Sequence, residues 1–163
     1  MVAFLNRMPY GIPGDVTRPS QAKIETQVFN PNAAFPAYGL FGKIDTGKFV
    51  PIGSGDSATD VYGILVRPYP TTGKNASDPL GTSVPLNQGA ADVLRSGYVN
   101  VKVNAGVPTV GGAVYIRVAD AAPGQPIGGI EAAPDSTDTI LVAGATFMSG
   151  ADANGNAEIA YNI

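Results

Sequence analysis

Three segments of the chain alternate apolar and polar residues with a period of two. Residues 99–103 are Val-Asn-Val-Lys-Val, residues 114–118 are Val-Tyr-Ile-Arg-Val, and residues 159–163 are Ile-Ala-Tyr-Asn-Ile. Because a strand points successive side chains to opposite faces, this pattern indicates half-buried strands. Further short stretches of strand-like composition lie between turns rich in Gly, Pro, Asn and Asp. These additional predicted strands cover residues 24–30, 39–44, 48–52, 61–66, 82–86, 92–94, 127–131 and 139–148.

Many short strands without a helical period predict an all-β fold, either a small β-sandwich or a β-barrel of jelly-roll or tulip-like form. The length of 163 residues suits one domain, because about 150 residues per domain is typical. We therefore expect a single β-domain over residues 24–163. Its core is predicted from the apolar positions of the alternating segments: Val99, Val101, Val103, Val114, Ile116, Val118, Ile140, Val142, Ile159 and Tyr161.

Residues 1–23 show neither the strand period of two nor a helical period. We predict that they form an extended N-terminal arm. Five prolines and glycines within eleven positions oppose a helix, since each proline removes a donor and restricts the residue before it. The arm also carries apolar side chains that a solvated tail would not need. We expect the arm to become ordered only against a partner, because ordering a free backbone costs roughly 1–2 kcal/mol per residue. The predicted partner-binding residues of the arm are Phe4, Tyr10, Ile12, Pro13 and Arg18.

The chain contains no histidine and no cysteine. This composition excludes Ser-His-Asp and Cys-His catalysis, imidazole and thiolate metal sites, and disulfide bonds. An enzyme of this composition would have to work with Asp and Glu alone, as a metal-dependent hydrolase could, but most aspartates lie in predicted turns, where they are typical turn formers. We therefore predict a protein that is not an enzyme and that binds no cofactor or metal.

One acidic loop has oxygen-bearing side chains at the alternate spacing found in calcium-binding loops. Residues 152–158, Asp-Ala-Asn-Gly-Asn-Ala-Glu, place oxygen-bearing side chains at alternate positions. An EF-hand loop has its Gly at position 6 and a bidentate Glu at position 12, between two helices. Asn-Gly between two strand patterns instead predicts a hairpin loop, which is the preferred interpretation here.

The charge pattern bears on the class of partner. The chain has 10 Lys and Arg against 13 Asp and Glu, for a net charge of −3, and the basic residues are spread along the sequence. Neither a basic patch nor a Trp is available to bind nucleic acid. The longest apolar stretch is too short for a membrane helix, and no signal peptide is evident after Met1. We expect partners that are neither nucleic acid nor membrane, and a protein that is not processed.

Several strand segments resemble tailed-bacteriophage capsid cement (decoration) proteins. The segments are ADVLRSGYVNVKVNAG at residues 91–106, GGAVYIRV at 111–118, DVYGILVR at 60–67 and VAGATF at 142–147. The resemblance covers roughly residues 24–163 and consists of strand alternation and glycines rather than reactive groups. It implies a small β-domain that acts as a homo-oligomeric staple on the outside of the phage head.

On this resemblance, the expected partners are the phage major capsid protein and other copies of the chain, as a dimer or trimer. The expected location is the outer surface of the virion capsid, after assembly in the host cytoplasm, and the expected effect is stabilisation of the expanded shell. A staple binds area rather than transforming a substrate, which agrees with the absence of His and Cys. A virion-surface module that binds a receptor or glycan is the alternative. It would present aromatic side chains on loops, whereas the seven tyrosines lie mostly in strand patterns.

Overall fold

The computed structural model of the protein describes residues 11–68 and 84–163. Within these ranges the chain forms strands and two short 3-10 turns, at Pro19–Gln21 and Ala58–Asp60, and no α-helix. No described helix is long and apolar enough to cross a membrane. The strands are β1 (Lys23–Val28), β2 (Phe41–Asp45), β3 (Lys48–Pro51), β4 (Gly63–Leu65), β5 (Ala90–Ala105), β6 (Ala113–Arg117), β7 (Ile130–Glu131), β8 (Thr139–Phe147) and β9 (Asn156–Tyr161).

The last five strands close into a barrel. β5 pairs with β9 in antiparallel fashion and with the short β7 in parallel. β6 lies between β7 and β8, and β8 pairs with β9, so the ring returns to β5. The all-β prediction is confirmed. Of the two architectures that the sequence allowed, the chain adopts the barrel.

The first four strands form a second sheet on the other half of β5. Its order is β3-β2-β4-β5-β1, with every neighbouring pair antiparallel. One isolated parallel bridge, between Phe29 and Phe49, joins the β1 and β3 sides of this sheet. The sheet therefore curls toward closure around a small core of its own.

A bulge in β5 separates the two halves of the fold. Lys23 pairs with Ser96, but the next residue, Ile24, pairs with Leu94, so Arg95 is an extra residue in the ladder. One extra residue reverses which face the following side chains occupy. Gly97 follows the bulge with a φ of +142°, where a Cβ would lie 3.0 Å from the Cα of Ala22. A glycine is needed here because other residues would be strained and crowded.

The bulge divides the apolar residues of β5 between two cores. Ala91 and Val93, before the bulge, pack with the aromatic rings of the second sheet. In that cluster Phe35 stacks on Phe49 with ring centroids 4.9 Å apart. After the bulge, Val99, Val101 and Val103 join Leu94 in the barrel core. Nine of the ten predicted core residues are buried, and the tenth, Ile140, is partly buried against the same core. The core prediction is therefore confirmed.

The strand predictions differ from the structure at three places. The predicted strand over 92–94 and the alternating segment 99–103 belong to one 16-residue strand, because the bulge bends the ladder without ending it. Only Ile130–Glu131 of the predicted strand 127–131 is a strand. Residues 84–86 of the predicted strand 82–86 do not pair with another strand, and Val84 and Leu86 are exposed. Residues 82 and 83 lie outside the described residues.

Replacing Val101 by Asp should lower the free energy of unfolding by at least about 3 kcal/mol, because an unpaired carboxylate would enter the barrel core. Val101 has no exposed surface. Urea unfolding measures the change. Ala90→Asp puts the same charge at an exposed position of the same strand and serves as the control. Equal stability of the two variants would show that the barrel core is assigned wrongly.

Candidate functional site: the docked N-terminal segment

Residues 11–18, called here the docked segment, lie along the barrel and pair with β5 as an extra strand. The amide of Gly14 donates to the carbonyl of Asn100 at 2.8 Å, and the amide of Asn100 donates to the carbonyl of Asp15 at 2.9 Å. The amide of Thr17 donates to the carbonyl of Tyr98 at 3.1 Å. These bonds pair the docked segment with the edge of β5 that faces away from β9. The two backbones form an antiparallel bridge.

This arrangement corrects one expectation from the sequence. Val16 lies opposite Val99 in the bridge and packs against the barrel core. The prediction that the arm is ordered only against a partner is therefore wrong for residues 11–18, which are held by the chain's own β5. The physical reason is that strand-edge hydrogen bonds, which the alternation of side chains does not reveal, offset the cost of ordering this part of the arm.

Two glycines let the docked segment approach the domain closely. Gly14 has a φ of +91°, and a Cβ there would lie 2.6 Å from the Cβ of Tyr38. A Cβ on Gly39 would lie 2.7 Å from the amide nitrogen of Gly14. The carbonyl of Gly14 also accepts a hydrogen bond from the amide of Arg67 at 2.9 Å. Backbone contact at this crossing thus fixes the register of the docked segment on the domain.

A buried arginine holds the beginning of the docked segment. The Nε of Arg67 donates to the carbonyl of Pro13 at 3.2 Å, and its guanidinium lies 4.5 Å from the ring centroid of Tyr38. The carboxylate of Asp15 is 3.9 Å from the same Nε. Burial raises the pKa of Asp15, and the nearby Arg67 offsets only part of that rise. This contact orients the segment through an arginine that the domain supplies.

A second cluster holds the segment near its other end, at Thr17 and Arg18. Glu158 of β9 accepts hydrogen bonds from the Thr17 hydroxyl at 2.5 Å and from Nη2 of Arg18 at 3.0 Å. The Arg18 guanidinium also lies 3.8 Å from the ring centroid of Tyr98. Because the Arg18 side chain is 43% exposed, its ion pair contributes at most about 1 kcal/mol.

The predicted partner-binding residues fall into three groups. Phe4 and Tyr10 lie outside the described residues. Ile12 and Pro13 are half-buried, and Arg18 is exposed while bound to Glu158. Sequence reasoning missed the receiving side of this contact, in which Asn100, Arg67 and Glu158 take part. Their local sequence does not mark them as contact residues. Each lies in or beside a strand, and the strand order of the fold decides which other segment that strand meets.

The structure brings two carboxylates together around a buried arginine rather than around a metal. Arg117, on the outer face of β6, donates from Nε to Glu131 at 2.6 Å and from Nη2 to Asp135 at 2.6 Å. Its Nη1 donates to the carbonyls of Ala119 and Asp120. The hydrogen bonds to Glu131, and then to Asp135, raise the pKa of Arg117. The arrangement is an ion pair that fastens the loops over the barrel wall.

The acidic loop that was compared with calcium sites is a hairpin loop between β8 and β9. One carboxylate oxygen of Asp152 accepts hydrogen bonds from the amides of Asn154 and Asn156, at 2.8 and 2.9 Å. The ammonium of Lys102 bonds to the carbonyl of Asn154. The Asp152 carboxylate thus serves the turn itself, as the hairpin interpretation requires, and the Glu158 carboxylate is bound to Thr17 and Arg18. Within residues 11–68 and 84–163, no group of three or more Asp and Glu side chains is arranged to hold a metal ion.

The described tyrosines do not form an aromatic platform of the kind expected of a glycan-binding module. Tyr38 and Tyr161 are buried. Tyr62 and Tyr98 are half-buried, and each is covered by an arginine, Arg95 at 3.7 Å and Arg18 at 3.8 Å from the ring centroid. Their faces are therefore already occupied within the chain.

Comparison with known proteins identifies the family. The model of the XM1 gp53 minor capsid protein family matches residues 1–161. The chain belongs to this family. The protein is therefore a structural protein of the bacteriophage virion. The match includes residues 1–10 and the docked segment as well as both sheets.

A solved structure gives the same answer for the fold. The chain is similar to one described as the capsid of Myoviridae phage XM1, with a TM-score of 0.71 and 22% sequence identity. The similarity covers 98% of this chain and 95% of that one. At this identity the likeness shows that the two chains share a fold over nearly their whole length. A search among curated protein sequences gives no match.

Replacing Gly14 by Ala should release the docked segment from β5, because the added Cβ would meet Tyr38. Hydrogen exchange at the amides of Thr17 and Asn100 should become faster, while exchange at the barrel amides changes little. Gly111→Ala is the control, since Gly111 has a similar φ of +83° but open space around its Cα. Unchanged protection at both amides in Gly14→Ala would contradict the described docking.

Replacing Arg117 by Met should lower the free energy of unfolding by about 3–5 kcal/mol, since Glu131 would become a buried, uncompensated carboxylate. The double variant Arg117→Met, Glu131→Leu should recover much of this loss. Arg18→Met removes an exposed ion pair instead and should cost at most about 1 kcal/mol. Urea unfolding of the variants tests the comparison. A double variant no more stable than Arg117→Met would refute the ion-pair account.

Proposed function

We propose that the protein binds the outside of the phage head and joins neighbouring major capsid subunits, which stabilises the expanded shell. Its partners are the phage major capsid protein and other copies of the chain. The observation that carries the proposal is the family match over residues 1–161, because it joins a minor capsid role to both the β-domain and the arm. The division into an arm (residues 1–23) and a β-domain (residues 24–163) is part of this proposal.

The arm supplies the contact with the neighbour. The docked segment is bonded to β5, so the described part of the arm has a fixed attachment on the domain. Phe4 and Tyr10 precede this attachment in the sequence and offer aromatic side chains to a partner surface. Ile12, Pro13 and Arg18 contribute the exposed parts of their side chains beside the attachment. An anchored peptide loses less entropy on binding than a free one, which favours tight attachment.

The charge balance supports a place on the outer surface. The inner surface of a head faces packaged nucleic acid, which attracts basic proteins. This chain has a net charge of −3, and most of the arginines described here are paired with carboxylates or rings. A weakly charged protein also limits repulsion between copies that lie close together.

A role without catalysis fits the chemistry of the described residues. The clustered carboxylates Glu131 and Asp135 are bound to Arg117, and Glu158 is bound to Arg18. Asp152 accepts backbone hydrogen bonds within its own loop. Each of these groups has a structural partner in a contact that a substrate would have to displace.

Replacing Phe4 and Tyr10 together by Ala should weaken binding to expanded heads by at least tenfold, because two aromatic anchors would be lost from the interface. The unfolding midpoint of the isolated protein should stay within about 2 °C of the parent. Asn6→Ala is the matched control in the same stretch and should bind like the parent. Cosedimentation with empty expanded heads measures the affinity, and heating of decorated heads measures their stability.

Two results would contradict the proposal. One is undiminished binding by the double variant. The other is the absence of binding by the parent protein to heads, combined with binding to a glycan array. The second result would favour the receptor-binding alternative.

A further inference from the structure

We infer that the docked segment exchanges between copies, so that residues 11–18 of one copy pair with β5 of a neighbouring copy. The inference rests on the proposed function in one respect, since that function places copies side by side on one shell. It assigns the edge of β5 at residues 98–100, together with Glu158, as a docking surface for a second copy of the chain. The following observations support this assignment.

Every bond that holds the docked segment can form equally well between two copies. The segment is paired with β5 through backbone hydrogen bonds to Tyr98 and Asn100, and with β9 through Glu158. The amide and the Nε of Arg67 also donate to the carbonyls of Gly14 and Pro13, and the Asn156 side-chain amide donates to the carbonyl of Gly11. A neighbouring copy would supply the same groups, because none of these partners belongs to the segment or to the turn that follows it. Transfer to a neighbour therefore replaces each contact with an identical one, as in other cases of domain swapping.

The connection between the docked segment and β1 has the properties of a hinge. Pro19–Gln21 forms a single 3-10 turn with no buried residue and no side-chain cap. Two backbone hydrogen bonds hold the turn, from Gln21 to Arg18 and from Ala22 to Pro19. Straightening it costs few interactions, and the four residues from Pro19 to Ala22 would then span roughly 13 Å.

The apolar contribution to docking within one copy is small. Of residues 11–18, Val16 is the apolar side chain that packs against the barrel core. Full burial of one valine contributes about 1.5–3 kcal/mol, which is less than a strand with several core residues would provide. The apolar contact of the docked segment with the barrel core therefore opposes its departure only weakly, and its hydrogen bonds are the contacts that a neighbouring copy can replace.

The edge of β5 also requires a partner. When the docked segment leaves, the amide and carbonyl of Asn100 lose their hydrogen bonds, and an unpaired strand edge is a template for another chain. The segment of a neighbouring copy fits this edge in sequence and register. On a shell, the neighbour's segment is held at a high effective concentration, so it can compete with the chain's own segment for this edge.

The absence of cysteine from the chain allows a direct test. Val16 and Val99 lie opposite each other, and the bonds from Thr17 to Tyr98 and from Asn100 to Asp15 flank them. They are therefore a non-hydrogen-bonded pair, with Cα atoms about 4.5 Å apart, which is within the range for a disulfide. A disulfide between these positions reports which copy holds the segment.

The experiment co-expresses two single variants, Val16→Cys and Val99→Cys, and oxidises the purified protein in solution and on expanded heads. Exchange predicts a disulfide-linked pair of chains of twice the monomer mass on a non-reducing gel. The double variant Val16→Cys, Val99→Cys, diluted before oxidation, should give an internal disulfide within one chain. Thr109→Cys with Val99→Cys is the control for random linking, since Thr109 is in an exposed loop.

The outcomes separate this inference from the proposed function. Linked pairs no more abundant than in the Thr109 control would overturn exchange. If the protein still bound heads in that case, the proposed function would stand. Linked pairs from a protein that fails to bind heads would support exchange and count against the proposed function. If Val99→Cys does not fold, the half-buried pair Thr17→Cys and Tyr98→Cys gives the same reporter outside the core.

Discussion

The fold depends on β5, the one strand that both sheets share. Its first half pairs with β1 and β4, and its second half pairs with β7, β9 and the docked segment. The bulge at Arg95 turns the apolar side chains from the aromatic core into the barrel core. Since the same backbone lines both cores, neither can lose its packing without disturbing the other. We expect the described fold to unfold as one cooperative unit.

The sequence predicts the elements of this fold better than their arrangement. Residues 99–103 and 114–118 show their strand period openly, because each strand has one face in the core and one outside. Ala91, Val93, Val99 and Val101 all occupy odd positions, so their spacing alone suggests one face. The bulge puts the first two in a different core, and a single extra residue leaves no mark in the alternation.

The candidate site shows the same limit. Prolines and glycines correctly predict that residues 11–18 lack a helix, while Pro19–Gln21 forms one 3-10 turn. They do not predict where the segment lies, because its docking depends on the backbone edge of β5 and on side chains distant in sequence, such as Arg67 and Glu158. The docked segment pairs with a strand that is distant in the sequence. Which strand edge it meets follows from the arrangement of the strands, so the sequence of the segment alone does not predict it.

The two contacts that hold the docked segment differ in their exposure to solvent ions. Arg67 is buried against Tyr38, whereas Arg18 meets Glu158 at the surface. Salt screens exposed charges over about 10 Å at 0.1 M ionic strength but affects buried groups much less. Rising ionic strength should therefore loosen the segment from the Arg18 end, beside the hinge, while the Gly14 crossing stays closed. The salt content of the medium thus biases which end of the segment opens first.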